Sequence, residues 1–202
     1  MRLFVFARHG NTTWNVERRI NGNPAVPVPL SDEGRAQAEL LGLMIAHVHP
    51  ELLVHTRFAR TVETAKLALG SRFDVIPKFE LPGLDDVDIG QLDGLPIDDY
   101  HVWKDAHTRR DRFPGGESLD DAARRYAAAF RALVERPESR ILVICHDVPL
   151  RYLLNGAERS AELDWPHNKI PNATPFLFSE GALVCAAEHI ERIVDGTLVA
   201  GA

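Results

Sequence analysis

A three-layer α/β/α fold with a mainly parallel central sheet is the architecture this sequence predicts, and two observations carry it. Short apolar runs rich in β formers alternate with amphipathic helical stretches, the pattern of right-handed βαβ crossovers that cover both faces of a sheet. Two of the apolar runs end directly on a histidine, at Arg8-His9 and at His146, and ligands of such sheets bind beyond the carboxyl ends of the strands. With 202 residues, 45% apolar content and no internal repeat or composition shift, residues 1–202 read as one domain.

The first strand is predicted at residues 3–7, Leu-Phe-Val-Phe-Ala, a continuous apolar run of the buried kind. From residue 31 to about 49, Ala36, Leu40, Leu43 and Ile45 recur at helical spacing behind a Ser31 cap, with Asp32 and Glu33 in the first turn. A strand at 52–55 and a helix at 61–69, closed by Gly70, follow. Residues 73–77 predict a further strand, and 81–99, rich in Gly, Pro and Asp, an irregular segment. The most definite helix spans 118–136: Ser118 caps it, Asp121 stands three residues on, and Leu119, Ala122, Tyr126, Phe130 and Leu133 share one face. Residues 141–145 form an apolar strand that runs into His146, and Pro149 suits the first turn of a helix through 150–154. A late strand is expected at 182–187, and residues 94–113 are expected as a short insertion over the site.

Charge and hydropathy narrow the function. Acidic residues outnumber basic ones by 29 to 23, a formal charge of −6 that repels polyanions, so nucleic acid is not an expected partner. An anionic ligand therefore needs a local cluster of cations. No apolar run approaches the roughly 20 residues that span a bilayer, and the apolar run at the N-terminus is too short for a signal peptide. A cytoplasmic location without a membrane partner is the expectation, with a homodimer left open. Cys145 and Cys185 lie in apolar runs and read as buried reduced thiols.

Four clusters carry chemistry. Arg8-His9-Gly10-Asn11-Thr12-Thr13-Trp14-Asn15 follows the first strand, where the chain turns sharply and Gly10 permits close approach of a phosphate. Thr56-Arg57-Phe58-Ala59-Arg60 places two arginines at a strand end and a helix start, where backbone amides already favour anions. His146 stands at a third strand end, and Asp85, Asp86 and Asp88 fall in the irregular segment. Taken singly, each has an ordinary structural explanation.

Together, and in this order, they resemble the histidine phosphatase superfamily, the phosphoglycerate mutase-like fold, from about residue 3 to 174. Arg8-His9-Gly10 with Thr12, Trp14 and Asn15 looks like its opening signature, and Arg60 with Thr64-Ala65 like its second arginine motif. Leu84, Asp86, Gly90 and Gly94 match the acid motif, Gly115-Gly116-Glu117-Ser118 the turn before the long helix, His146 the second histidine, and Asn172-Ala173 a late motif.

The resemblance implies hydrolysis of a small phosphorylated substrate through a phosphohistidine on His9, without metal or other cofactor. In that scheme Arg8, Arg60 and Asn15 bind the phosphate and His146, if protonated, adds a positive donor. Asp86 protonates the leaving group, and the same carboxylate activates the water that releases phosphate. A mutase that returns the phosphoryl group to a second hydroxyl, or a non-catalytic phospholigand-binding protein, are the alternatives. Two residues depart from the family pattern. Asp86 replaces the usual Glu, one methylene longer, which leaves Asp85, Asp88 or a water as other proton sources. Asp147 replaces the usual Gly after the second histidine, and it can either repel phosphate or stabilise a charged His146.

Cys145 and Arg151 also satisfy C-x5-R, the outline of a cysteine-dependent phosphatase loop. That loop needs consecutive backbone N–H groups, and this one has Pro149 and no Gly, so the histidine reading is preferred. Finally, His101, Lys104, His107, Arg109, Arg110 and Arg112 form a basic segment that suits either a second anionic group or a solvated surface.

Overall fold

Alternation along one strand organises the layers. In β1 (Leu3–Arg8) Phe4 and Phe6 point to one face of the sheet, and Val5 and Ala7 to the other. The computed structural model describes residues 2–197 and closes both faces with helices. Phe4 and Phe6 join the larger core with α6 (Leu119–Val134), α7 (Asp147–Ala157) and α8 (Glu180–Val194). Val5 and Ala7 meet α2 (Asp32–Met44) and α3 (Ala59–Leu69) through Leu41, Ala65 and Leu69. This is the predicted three-layer arrangement.

The sheet order is β3 (Lys78–Glu80), β2 (Leu52–His55), β4 (Arg140–Cys145), β1, β5 (Pro175–Phe178). All pairs are parallel except β1 with β5. Register decides the site: Arg8 lies opposite Cys145, and His55 opposite Ile144. Three neighbouring parallel strands thus end at one level, and the next residues, His9, His146 and Thr56, emerge side by side.

The predicted helices over 61–69 and 118–136 and the strands at 3–7, 52–55 and 141–145 are present with small boundary shifts, whereas five other elements differ. Residues 73–77 are not a strand: α4 (Arg72–Val75) occupies them and the strand starts at Lys78. Residues 182–187 lie inside α8, whose buried positions Leu183, Ala186, Ala187, Ile190 and Val194 keep helical spacing over a stretch longer than the apolar run that suggested a strand. Ser179 caps this helix by accepting from the Ala182 N–H at 3.2 Å. The antiparallel edge strand β5 went unpredicted. The helix after Ser31 stops at Met44 rather than near 49, and the expected insertion 94–113 carries α5 (Ile97–Ala106). No helix among the described residues is long and apolar enough to cross a membrane.

The loop after β1 rests directly on the first turn of α2. A Cβ on Gly34 would fall onto the Asn11 carbonyl, and one on Gly10 onto the Gly34 carbonyl, so two backbones touch where side chains cannot fit. Ser31 N–H donates to the Asn11 carbonyl at 2.9 Å, and the Gln37 side chain accepts from the Asn11 N–H at 2.9 Å. We expect Gly34→Ala to lower stability by about 1–3 kcal/mol, the usual cost of overpacking, because the loop that carries His9 must move. Chemical denaturation reads the effect, and an unchanged denaturation midpoint would contradict this packing.

Candidate active site

His9 continues β1 by one residue, and its backbone N–H donates to the Cys145 carbonyl at 3.0 Å. On its other side Asn172 Nδ2 donates to the His9 carbonyl at 2.8 Å and Ala173 N–H to the Arg8 carbonyl at 2.9 Å, so the late Asn-Ala motif clamps the same backbone. His9 Nδ1 lies 2.8 Å from the Gly10 carbonyl, which can only accept. Nδ1 therefore carries the proton, and Nε2 keeps its lone pair. Burial, then Arg60 and Arg8, push the His9 pKa well below its ordinary value, so the ring is neutral.

Arg60, on the first turn of α3, is only 4% exposed. Its Nη2 donates to Asp86 Oδ2 at 3.2 Å, to His146 Nδ1 at 3.0 Å and to the Asn21 carbonyl at 3.2 Å, while Nη1 donates to the Asn21 side-chain oxygen. The guanidinium lies over the Phe58 ring at 4.1 Å. Burial lowers its pKa to about 10, against the opposing pull of Asp86, and it stays charged at neutral pH.

His146 corrects an expectation. It is wholly buried and does not line the cavity; its Nδ1 accepts from Arg60, and its Nε2 donates to Thr56 Oγ1 at 2.9 Å. Burial, with Arg60, His9 and Arg8 nearby, drives its pKa well below the ordinary value, so the ring is neutral and both nitrogens are engaged. The positive donor expected of His146 is the arginine that it holds. Its ring meets that of His9 edge-on, with centroids 5.4 Å apart.

Arg8 Nη1 donates to the Ile170 carbonyl at 2.8 Å and to Asp147 Oδ1 at 3.3 Å. Asp147 thus faces Arg8 rather than His146. The Nε–H groups of Arg8 and Arg60 are buried without a protein partner among the described residues. Asn15 lines the cavity, but its side-chain oxygen accepts from the Thr12 N–H at 3.1 Å in the capping box of α1 (Thr13–Val16).

Of the three neighbouring acids, only Asp86 lines the cavity with His9, a space of about 400 Å³. Asp85 accepts from the Arg57 N–H at 3.1 Å and pairs with its side chain, and Asp88 accepts from the Gly90 N–H at 3.0 Å. Burial raises the Asp86 carboxyl above its ordinary range, with Arg60 opposing. The acid loop is held from behind by Arg125, which donates to the carbonyls of Gly83 at 3.1 Å, Asp85 at 3.0 Å and Asp86 at 3.3 Å and pairs with Glu117. Glu117 in turn accepts from the Asp88 N–H at 3.0 Å. Neither this clamp nor Asn21 was predicted; the Gly-Gly-Glu-Ser turn was the available signal.

Cys145 sits at the end of β4 in the larger core, where burial pushes its thiol up, and it does not line the cavity. Cys185 is half-buried on α8 rather than in a strand, and both are free thiols. In the basic segment Arg109 pairs with Asp120 and Asp164, and Arg112 with Asp121, while His101 and Lys104 line the cavity. Among the described residues no three His, Cys, Asp or Glu side chains form a metal-binding group.

Two histidines kept neutral by the fold make stability depend on pH. Unfolded, each titrates near 6.5; folded, each binds its proton only at lower pH, so between those values the unfolded chain holds more protons and stability falls as pH falls. Thermal unfolding from pH 8 to 5 should show a midpoint that drops below about pH 6.5, with a shallower slope in His9→Asn; equal slopes in parent and variant would argue against a depressed His9.

The 2,3-bisphosphoglycerate-dependent phosphoglycerate mutase of Cytophaga hutchinsonii is 25% identical over 191 residues, 88% of this chain and 87% of that protein. The human 6-phosphofructo-2-kinase/fructose-2,6-bisphosphatase 4 is 30% identical over 198 residues, 94% of this chain and 40% of that one. The crystal structure of the alpha-ribazole phosphatase from Shigella flexneri has the same fold, with a TM-score of 0.75 at 22% identity over 88% of this chain and 90% of that one. Residues 4–178 match the family model of the histidine phosphatase superfamily (branch 1), and the chain belongs to that superfamily.

Proposed function

We propose that this chain is a phosphomonoesterase that hydrolyses a small phosphorylated metabolite through a phosphohistidine on His9. The observation that carries the reading is a neutral His9 whose Nε2 lone pair is free, in one cavity with the guanidinium groups of Arg8 and Arg60. In the first step the Nε2 lone pair forms the N–P bond as the ester P–O bond breaks, and Asp86 gives its proton to the leaving oxygen. Arg8 and Arg60 carry the charge on the phosphoryl oxygens. In the second step the Asp86 carboxylate takes a proton from water as its oxygen attacks phosphorus, and the N–P electron pair returns to Nε2. A carboxyl raised by burial suits both tasks.

The cavity volume fits a metabolite rather than an enclosed macromolecular segment, and α5 lines it with Ile97, Tyr100, His101 and Lys104. The reading takes residues 1–202 as one catalytic domain acting in the cytoplasm. A mutase is the second reading, favoured by the name of the Cytophaga relative; formation of a phosphoglycerate isomer in place of free phosphate would select it.

His9→Ala is expected to abolish phosphate release and acid-labile labelling from a radiolabelled phosphomonoester, while Cys145→Ala keeps both. Label that survives in His9→Ala and disappears in Cys145→Ala would transfer the nucleophile to cysteine. Asp86→Asn should cost about 100-fold or more on an alkyl phosphate and much less on an activated aryl phosphate. Equal losses on the two substrates would remove Asp86 from the acid role.

A further inference from the structure

Asp147 joins two segments that are far apart in the chain. It is the first residue of α7, directly after His146, and its side chain lines the same cavity as His9 and Arg8. Oδ1 accepts from the Ile170 N–H at 2.8 Å and from Arg8 Nη1 at 3.3 Å. The same Nη1 donates to the Ile170 carbonyl at 2.8 Å, so one residue, Ile170, is held at its N–H by the carboxylate and at its carbonyl by the guanidinium. Arg151, one helical turn beyond Asp147, stands 3.7 Å from Oδ2 and donates to the Asn168 carbonyl at 3.0 Å.

The consequence for Arg8 is directional. With Nη1 committed to Asp147 and Ile170, the Nε–H is buried and unpaired, and the planar guanidinium cannot turn without breaking two hydrogen bonds. Arg60 is fixed the same way, by Asn21, Asp86 and His146. Arg8 has no histidine or asparagine side chain on it, and the carboxylate of Asp147 takes that part.

We propose that Asp147 is a positioning residue: it fixes the Arg8 guanidinium for phosphate and locks the Asn168–Ile170 segment, whose Asn168 and Lys169 line the cavity, to that arginine. The inference rests on the phosphatase reading for its place in turnover, but its effect on phosphate binding does not. A carboxylate near a phosphate site also repels the anion, so the sign of its effect on affinity separates positioning from repulsion.

The test is a double-mutant cycle with Asp147→Asn and Arg8→Gln, read both as kcat/KM on an aryl phosphate and as the affinity for inorganic phosphate measured by calorimetry. Asparagine can still accept from the Ile170 N–H, so the fold and thermal midpoint should be largely kept. We expect Asp147→Asn to lower kcat/KM by about tenfold, within the range of a charge-assisted hydrogen bond, and to weaken phosphate binding, with both effects vanishing in the Arg8→Gln background. Asp147→Glu, which keeps the charge, should recover part of the loss. Tighter phosphate binding in Asp147→Asn would overturn positioning in favour of repulsion. An equal loss with and without Arg8 would make Asp147 merely structural, and a loss that grows with leaving-group basicity would make it a proton donor; either result rejects the proposal. No release of phosphate from the aryl phosphate by the parent protein while the phosphate-binding cycle still couples would reject the phosphatase reading alone.

Discussion

Burying the Arg60 guanidinium at the ends of three parallel strands is the constraint on which the site depends. A cation removed from water must be paired and hydrogen-bonded, and this one is met by Asn21 from the first long loop, Asp86 from the acid loop and His146 from the end of β4. Those partners come from segments up to 125 residues apart in number, from position 21 to position 146, so the charge is satisfied only when the whole sheet edge is assembled. The same charge, with burial, keeps both imidazoles neutral and opposes the upward drift of Asp86.

The acid loop shows how a rigid scaffold places a short side chain. Arg125, on α6, holds the backbone from Gly83 to Asp86, and Glu117 ties Asp88 to the turn before that helix. The turn approaches so closely that a Cβ on Gly116 or Gly90 would collide with backbone. An aspartate has little reach of its own, so its position is set almost wholly by this backbone, and in this chain Asp86 Oδ2 sits at 3.2 Å from Arg60. Asp85 and Asp88, although close to Asp86 in sequence, are turned to Arg57 and Gly90.

Local signals made much of the framework legible. The apolar runs before His9 and His146, the capped helix from Ser118 and the Gly70 stop are patterns of a few residues, and each forms as read. Where the window was too short, the reading failed: the six residues 182–187 look like a strand, but their neighbours continue the helical period to Val194. The edge strand β5 has only four residues and is defined by pairing with β1, a contact that no local pattern encodes. In α5 Tyr100 is the one buried residue, which hides the helix in a stretch rich in Gly, Pro and Asp.

The sequence by itself determined the fold class and the residues at two strand ends, Arg8-His9 and His146, because strand propensity and the following polar residue are local properties; Arg60 and Asp86 could be named through the order of motifs that resembles the family. Only the tertiary structure decided what state those residues are in. It made His146 a neutral partner of Arg60 rather than a charged donor and turned Asp147 to Arg8. Protonation and hydrogen-bond direction depend on burial and on charges brought from distant segments, and those exist only once parallel strands in register have carried their ends to one place.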